Sequence, residues 1–268
     1  MMRRREVLEG LVAGAVLLPA ASAMAQTVTP AVKSSIAPTG RLRVAINYGN
    51  AALAKKDPAT GKLSGVSVDI AGELGRRLGL PVDLVPFDAA GKVSGAAARN
   101  VWDVAFLARD PERGKDISFT AAYVVIDGNY VVRNDSPITT LAQVDQDGVR
   151  VVVSTRSAYD LFLSRNLKHA KLVHGGSTPE AVALFNSGHY EVVAGVKQAL
   201  RQVIASDKGL RMIPQPFMEI SQAMGTPTGR PAASTWLHAF VEDIKAKGDV
   251  ANILARNGQV DSTVAPPG

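Results

Sequence analysis

Across residues 40–257, short apolar runs of strand length alternate with segments whose apolar residues recur at helical spacing. This alternation restricts the chain to α/β architectures with mostly parallel sheets. LRVAIN at 42–47 alternates in polarity between Gly40 and Gly49 and predicts a strand. Val66, Ile70, Leu74 and Leu78 then share one helical face, and Gly79 supplies the stop. Further strands are expected at 82–85, 150–153, 191–196 and 210–213, and at 101–107, where VWDVAFL is apolar enough for burial on both faces. Helices are expected at 157–166, from the capping box Ser177-Thr178-Pro179-Glu180 to Asn186, at 197–206, at 232–247 and at 250–256.

Two extended segments, near 121–133 and 214–226, divide this pattern into two blocks. The first contains YVVIDGNYVV, a β-branched run interrupted by Asp127-Gly128. That interruption suits a strand crossing between lobes and equally suits a hairpin. The element order predicts a chain that leaves one lobe, builds a second and returns. Lobe 1 is expected from 40–127 plus 222–258, and lobe 2 from 128–221. Residues 26–39, polar and proline-bearing, read as a flexible leader, and 259–268 as a loose tail.

The N-terminus carries an export pattern. Arg3, Arg4 and Arg5 precede an apolar stretch at 11–21, and Ala23-Met24-Ala25 fits the small-x-small cleavage rule. The order Arg4-Arg5-Glu6-Val7-Leu8 is of twin-arginine type, with Val in place of the usual Phe. Residues 1–25 therefore read as a signal peptide, because the apolar run falls short of the ~20 residues that a membrane span requires. The expected location is the periplasm, as a soluble monomer.

Chemistry is constrained mainly by what is missing. The chain has no cysteine, which removes disulfides, thiol catalysis and Cys-ligated metal. The formal net charge is +6, but Lys and Arg are scattered among Asp and Glu, so no nucleic-acid partner is expected. There is no G-x-S-x-G, H-E-x-x-H, Walker loop or G-x-G-x-x-G, and His169, His174, His189 and His238 lack ligand spacing. No cofactor or metal is expected. The strand ends are rich in Ser, Thr, Gly and Arg, which hydrogen-bond rather than shuttle protons, and this favours a binder over an enzyme.

Several stretches together resemble the family 3 extracellular solute-binding proteins. They are GRLRVA (40–45) and GKLSGVSVDIAGELGRRLG (61–79), WDVAFLARDPER (102–113) with ISFTAAY (117–123), and GHYEVVAG (188–195), followed by a C-terminal helix pair. The resemblance implies a type II periplasmic-binding-protein fold: two α/β lobes, each a mostly parallel sheet flanked by helices, joined by two hinge strands. It also implies a function. The cleft closes on a small carboxylate-bearing solute, an amino acid or related organic acid, for delivery to a membrane ABC permease.

The same resemblance places the ligand-carboxylate arginine at Arg113, with Arg109 as a second candidate in an altered loop. A guanidinium grips a carboxylate with two parallel bonds, which an ammonium cannot. Ser157 and Ala158 fall where a hydroxyl and backbone N–H groups meet the carboxylate at a helix start, and Ser157 also suits an N-cap. Tyr48 and Tyr159 are candidate cleft aromatics. Asn47 ends the first strand, where the family often has an acid.

Three departures bear on the ligand. The segment 103–113 is shorter than usual, and Ala108 stands where a small hydroxyl residue is expected. Val196 occupies the place of the amino-group-binding Asp, with Lys197 of opposite sign beside it. Asn50 replaces a covering aromatic. An ammonium without a carboxylate partner is poorly compensated in a closed cleft. A non-amino anion, held by Lys197 as a second cation, is therefore one expected ligand. Two alternatives share the scaffold. One is a periplasmic dehydratase, with Asp127 and Glu219 as its candidate acids. The other is an accessory protein that signals its ligand-bound shape to a receptor.

Overall fold

The computed structural model describes residues 27–268, so the expected signal peptide lies outside the described residues. The first block comprises helix α1 (Pro30–Ile36), strand β1 (Leu42–Asn47), the small hairpin β2 (Lys55–Lys56) and β3 (Leu63–Ser64), and helix α2 (Val66–Leu78). Strand β4 (Val82–Phe87), helix α3 (Ala90–Ser94) and strand β5 (Val104–Ala108) follow. Strand β1 pairs in parallel with both β4 and β5, and Leu42, Val44, Ala45 and Ile46 are fully buried, as the central strand of a covered parallel sheet requires. Helix α2 ends at Gly79 in the left-handed region, with φ of 61°, where a residue without Cβ is favoured.

At the start of β5 the completely buried Asp103 carboxylate is gripped by Arg43 at 2.9 and 2.8 Å and by Arg230 at 2.9 Å. Burial pushes this carboxyl pKa up, but the hydrogen bonds from Arg43 and Arg230 outweigh burial and hold it below the usual value. The cluster ties the first block to the chain's return, since Arg230 immediately precedes the C-terminal helices.

Strand β6 (Ile117–Arg133) is one continuous strand of 17 residues that passes through Asp127-Gly128 without turning, which decides against a hairpin there. The second block holds α4 (Leu141–Val144), β7 (Arg150–Ser154), α5 (Ala158–Asn166), β8 (Lys171–Gly175), α6 (Thr178–Leu184), β9 (Val192–Val196), α7 (Lys197–Ser206) and β10 (Leu210–Met212). Strand β11 (Met218–Pro227) then returns to α8 (Pro231–Ala246), α9 (Asp249–Arg256) and β12 (Thr263–Val264).

The sheet order is β4-β1-β5-β11-β6-β9-β7-β8. Strands β8, β7 and β9 are mutually parallel, like β4, β1 and β5, and the antiparallel pair β6 and β11 joins the two sets. Strand β6 pairs with β11 up to Gly128, and from Gly128 to Val131 it pairs with β9. The architecture is thus two α/β lobes linked by two long strands. Helix α8 closes the first lobe with Leu237, Phe240, Val241 and Ile244 fully buried. Each such side chain contributes about 1.5–3 kcal/mol on burial.

Among the described residues, 27–39 and 259–268 differ from the sequence expectation. In place of a flexible leader, Thr29 caps α1 and Pro30 starts it. Ile36 of α1 is fully buried, and the amide N–H of Ala233 in α8 donates to Ser35 Oγ at 3.2 Å. In place of a loose tail, β12 pairs with Val124 and Val125 of β6, and the Ala265 N–H donates to the Tyr123 carbonyl at 3.1 Å. Neither segment is long enough to show a period, and both are ordered by what they pack on. Among the described residues, no helix is long and apolar enough to cross a membrane.

Candidate functional site

Strands β1, β5, β7 and β9 end in Asn47, Ala108, Ser154 and Val196, and all four residues line one cavity of about 40 Å³ between the lobes. Parallel α/β sheets place ligands at this end of their strands, because backbone donors and helix starts converge there. Ile220 and Gln222 of β11 complete the lining from the strand pair that links the lobes.

Arg113 is the cation of this cavity. After β5 the chain turns sharply: the Glu112 N–H donates to Asp110 Oδ1 at 2.8 Å and the Gly114 N–H to the Asp110 carbonyl at 2.9 Å. This turn folds the Arg113 side chain back under the strand end, where it is only 2% exposed. One terminal nitrogen donates to the Ala108 carbonyl at 3.0 Å, the other to the Arg156 carbonyl in the second lobe at 2.8 Å, and Nε has no partner. Burial lowers its pKa to about 10, Asp110 opposing and Arg156 adding to the shift, so the group stays charged at neutral pH.

The facing wall is built at the start of α5. Arg156 sits in the left-handed region with φ of 54°, an uncommon conformation for a residue with a side chain. Ser157 then caps the helix, accepting from the Asp160 N–H at 3.0 Å. The N–H groups of Ala158 and Tyr159 are those that a helix start leaves without an intrahelical acceptor, and Ala158 lines the cavity. Burial raises the pKa of the Tyr159 hydroxyl, against the smaller opposing effect of the neighbouring Thr178, Ser157 and Ser154. This lobe therefore offers a ring of hydroxyls and the positive end of a helix dipole, with no charged side chain on the cavity wall.

The lobes also touch around the cavity. Thr178 Oγ1 donates to the Gly49 carbonyl at 3.3 Å, and Arg165 pairs with Asp110 at 2.7 Å. Gly91 of α3 lies against Arg156 so closely that an added Cβ falls 2.7 Å from the Arg156 Cβ.

Of the residues expected from sequence, the structure gathers Asn47, Ala108, Arg113, Ser157, Ala158, Tyr159 and Val196 around this cavity. Three stand elsewhere. Arg109 is exposed in an outer groove beside Glu219, because neighbouring residues at a strand end face opposite ways and Ala108 takes the inner side. Tyr48, likewise one past Asn47, lies in an adjoining groove with Lys56 over its ring at 5.3 Å. Lys197 does not serve as a second cation of the cavity: as the first residue of α7 it turns to Asp127 of β6, at 2.8 Å.

Ser154, Thr178, Ala199, Gln222 and Asn50 line the cavity and were not assigned to it by sequence as ligand contacts. Two of them carried a signal: Gln222 is a polar residue inside a hinge strand, and Asn50 stands where the resemblance places a covering aromatic. Among the described residues no group of three or more His, Asp or Glu is gathered to hold a metal.

A family model for bacterial extracellular solute-binding proteins, family 3, matches residues 42–259. None of the curated proteins compared with the sequence matches it. Solved structures match the fold closely at low identity. A mutant of ArgBP from T. maritima superposes with a TM-score of 0.73 at 20% identity, covering 85% of this chain and 99% of that one. The solute receptor for L-cysteine of Neisseria gonorrhoeae gives 0.73 at 19% identity, covering 85% and 92%. The ancestral amino acid-binding protein AncCDT-1, described as a precursor of cyclohexadienyl dehydratase, gives 0.71 at 20% identity, covering 84% and 97%.

Proposed function

Because the chain belongs to the bacterial extracellular solute-binding proteins of family 3, we propose that it is the periplasmic solute-binding component of an ABC importer. It captures a small carboxylate-bearing solute, an amino acid or related organic acid, by closing its lobes. The observation that carries this reading is Arg113, a buried guanidinium on the cavity wall whose Nε has no partner, facing the start of α5. A carboxylate entering there gains charge-assisted hydrogen bonds in a site shielded from water. ArgBP from T. maritima, solved with arginine bound, and the solute receptor for L-cysteine support the solute class.

The change of pairing partner at Gly128 supports a boundary between lobes at 127/128 on the outgoing strand. The return crossing falls near 221/222, where β11 passes from the second lobe to pairing with β5. Export of the chain through residues 1–25 belongs to the same reading and rests on the sequence pattern alone.

A dehydratase reading has one support, the likeness to AncCDT-1. Its candidate acids stand off the cavity: Asp127 is paired with Lys197, and Glu219 is exposed in the outer groove. Isothermal titration of the full chain with amino acids and organic acids, with prephenate and arogenate assayed for turnover, separates the two. Binding without turnover is the expected result, and turnover of either compound overturns it.

A further inference from the structure

Two buried polar atoms on the cavity residues lack a partner in the protein: Nε of Arg113 and the side-chain oxygen of Asn50. Buried polar groups are nearly always satisfied, so each of these describes part of what the cavity takes. Arg113 supplies a charged donor and asks for an anionic acceptor. Asn50 supplies an acceptor and asks for a donor.

An α-amino acid offers an ammonium as that donor. A positive charge held in an enclosed cleft beside Arg113 then needs a nearby counter-charge. No Asp or Glu lines the cavity. The acids on neighbouring elements are already engaged, Asp88 of the adjoining groove by Lys92 at 2.7 Å. Asp110 is bound by Arg165 and the Glu112 N–H, Asp127 by Lys197, and Asp160 by the Arg156 N–H at 2.6 Å and by His174 at 2.9 Å. A neutral hydroxyl satisfies one amide oxygen without placing a second charge in the cleft.

Resting on the solute-binding reading, we propose that the ligand is a hydroxycarboxylate without an ammonium group, its carboxylate on Arg113 and its hydroxyl on Asn50. The ring of Ser154, Ser157, Tyr159 and Thr178 hydroxyls fits the same ligand. Its members are neutral, and none carries the negative charge an ammonium requires.

Matched triplets that differ in one substituent test this: lactate, propionate and alanine; 3-phenyllactate, 3-phenylpropanoate and phenylalanine; malate, succinate and aspartate. Isothermal titration of the full chain near neutral pH is expected to show the hydroxy member of at least one triplet binding tighter than both of its partners, by at least about tenfold. Asn50→Ala is expected to remove the hydroxy member's advantage over the plain acid. An amino acid that binds as tightly as its hydroxy partner overturns the inference and leaves the solute-binding reading standing. So does a plain acid that equals its hydroxy partner in the tightest-binding triplet, which is the one that decides. Failure of every compound to bind overturns the inference together with the assignment of Arg113 to a carboxylate.

Discussion

The two walls of the cleft solve different problems. Lobe 1 presents one buried cation, Arg113, held by a tight turn and by the Ala108 carbonyl. Lobe 2 presents several neutral groups: Ser154, Ser157, Tyr159, Thr178 and the open start of α5. A guanidinium is costly to bury, and the depressed pKa of Arg113 is the sign of that cost. On the proposed reading the cost is offset when an anion arrives, which would concentrate binding energy in one residue of lobe 1. Hydroxyls and amides cost little to bury when they satisfy each other, and each contributes little alone. The contrast assigns affinity chiefly to lobe 1, and closure and selectivity to lobe 2.

The largest effect expected from this contrast is at Arg113. Arg113→Ala should weaken carboxylate binding by about 2–5 kcal/mol, roughly thirty-fold to several-thousand-fold in Kd by titration. Unchanged affinity would break the comparison outright. Next is the approach of the lobes. In Gly91→Val the new side chain meets Arg156 and the Thr155 carbonyl, at 2.7 and 3.1 Å from its Cβ. Overpacking of this kind costs about 1–3 kcal/mol, borne by the closed form alone. Weaker binding with a larger radius of gyration in solution scattering is expected, and an unchanged radius would show that closure tolerates the group.

On the lobe 2 wall, Ser157→Ala removes the cap of α5 and should lower unfolding stability in urea by about 1 kcal/mol. A loss confined to binding would mean that Ser157 serves the ligand and not the helix. The Arg165–Asp110 pair bridges the lobes with Arg165 42% exposed. Arg165→Gln should therefore shift affinity by no more than about 1 kcal/mol, and the shift should vanish at high salt.

The smallest effect expected across the ordinary pH range is that of pH itself. A carboxylate on Arg113 raises the guanidinium pKa above its free value of about 10. Below that value Arg113 is protonated both free and bound, so affinity is flat. Above it, binding must take up a proton, and affinity falls by up to about tenfold per pH unit. Affinity that declined instead between neutrality and pH ~9 would point to a group other than Arg113.

How much of this was legible in the sequence follows the physics of each part. Elements with a full period or a cap were readable to within a few residues. Helix α2 runs from Val66 to Leu78, stopped by Gly79, as its apolar face predicts, and the Ser177–Glu180 capping box starts α6 where expected. Strand β8 escaped because it is a half-exposed edge with Lys171 and His174 outward, so it carries no apolar run. In the site, residues at strand ends and at the helix start were readable because the fold fixes their direction. Lys197 was not: it adjoins Val196 in sequence, yet α7 begins there and aims it at Asp127. Gln222 and Thr178 reach the cavity only through the register of β11 and the closeness of the lobes, which no local pattern encodes.

The central claim is that Arg113 receives the ligand's carboxylate, and its Nε proton reports on this directly. Proton–nitrogen spectra of the full chain, titrated with a carboxylate that binds, should show one arginine Nε resonance moving and saturating with the ligand. That resonance should be missing in Arg113→Lys. An Arg113 Nε resonance unmoved under saturating ligand would contradict the account.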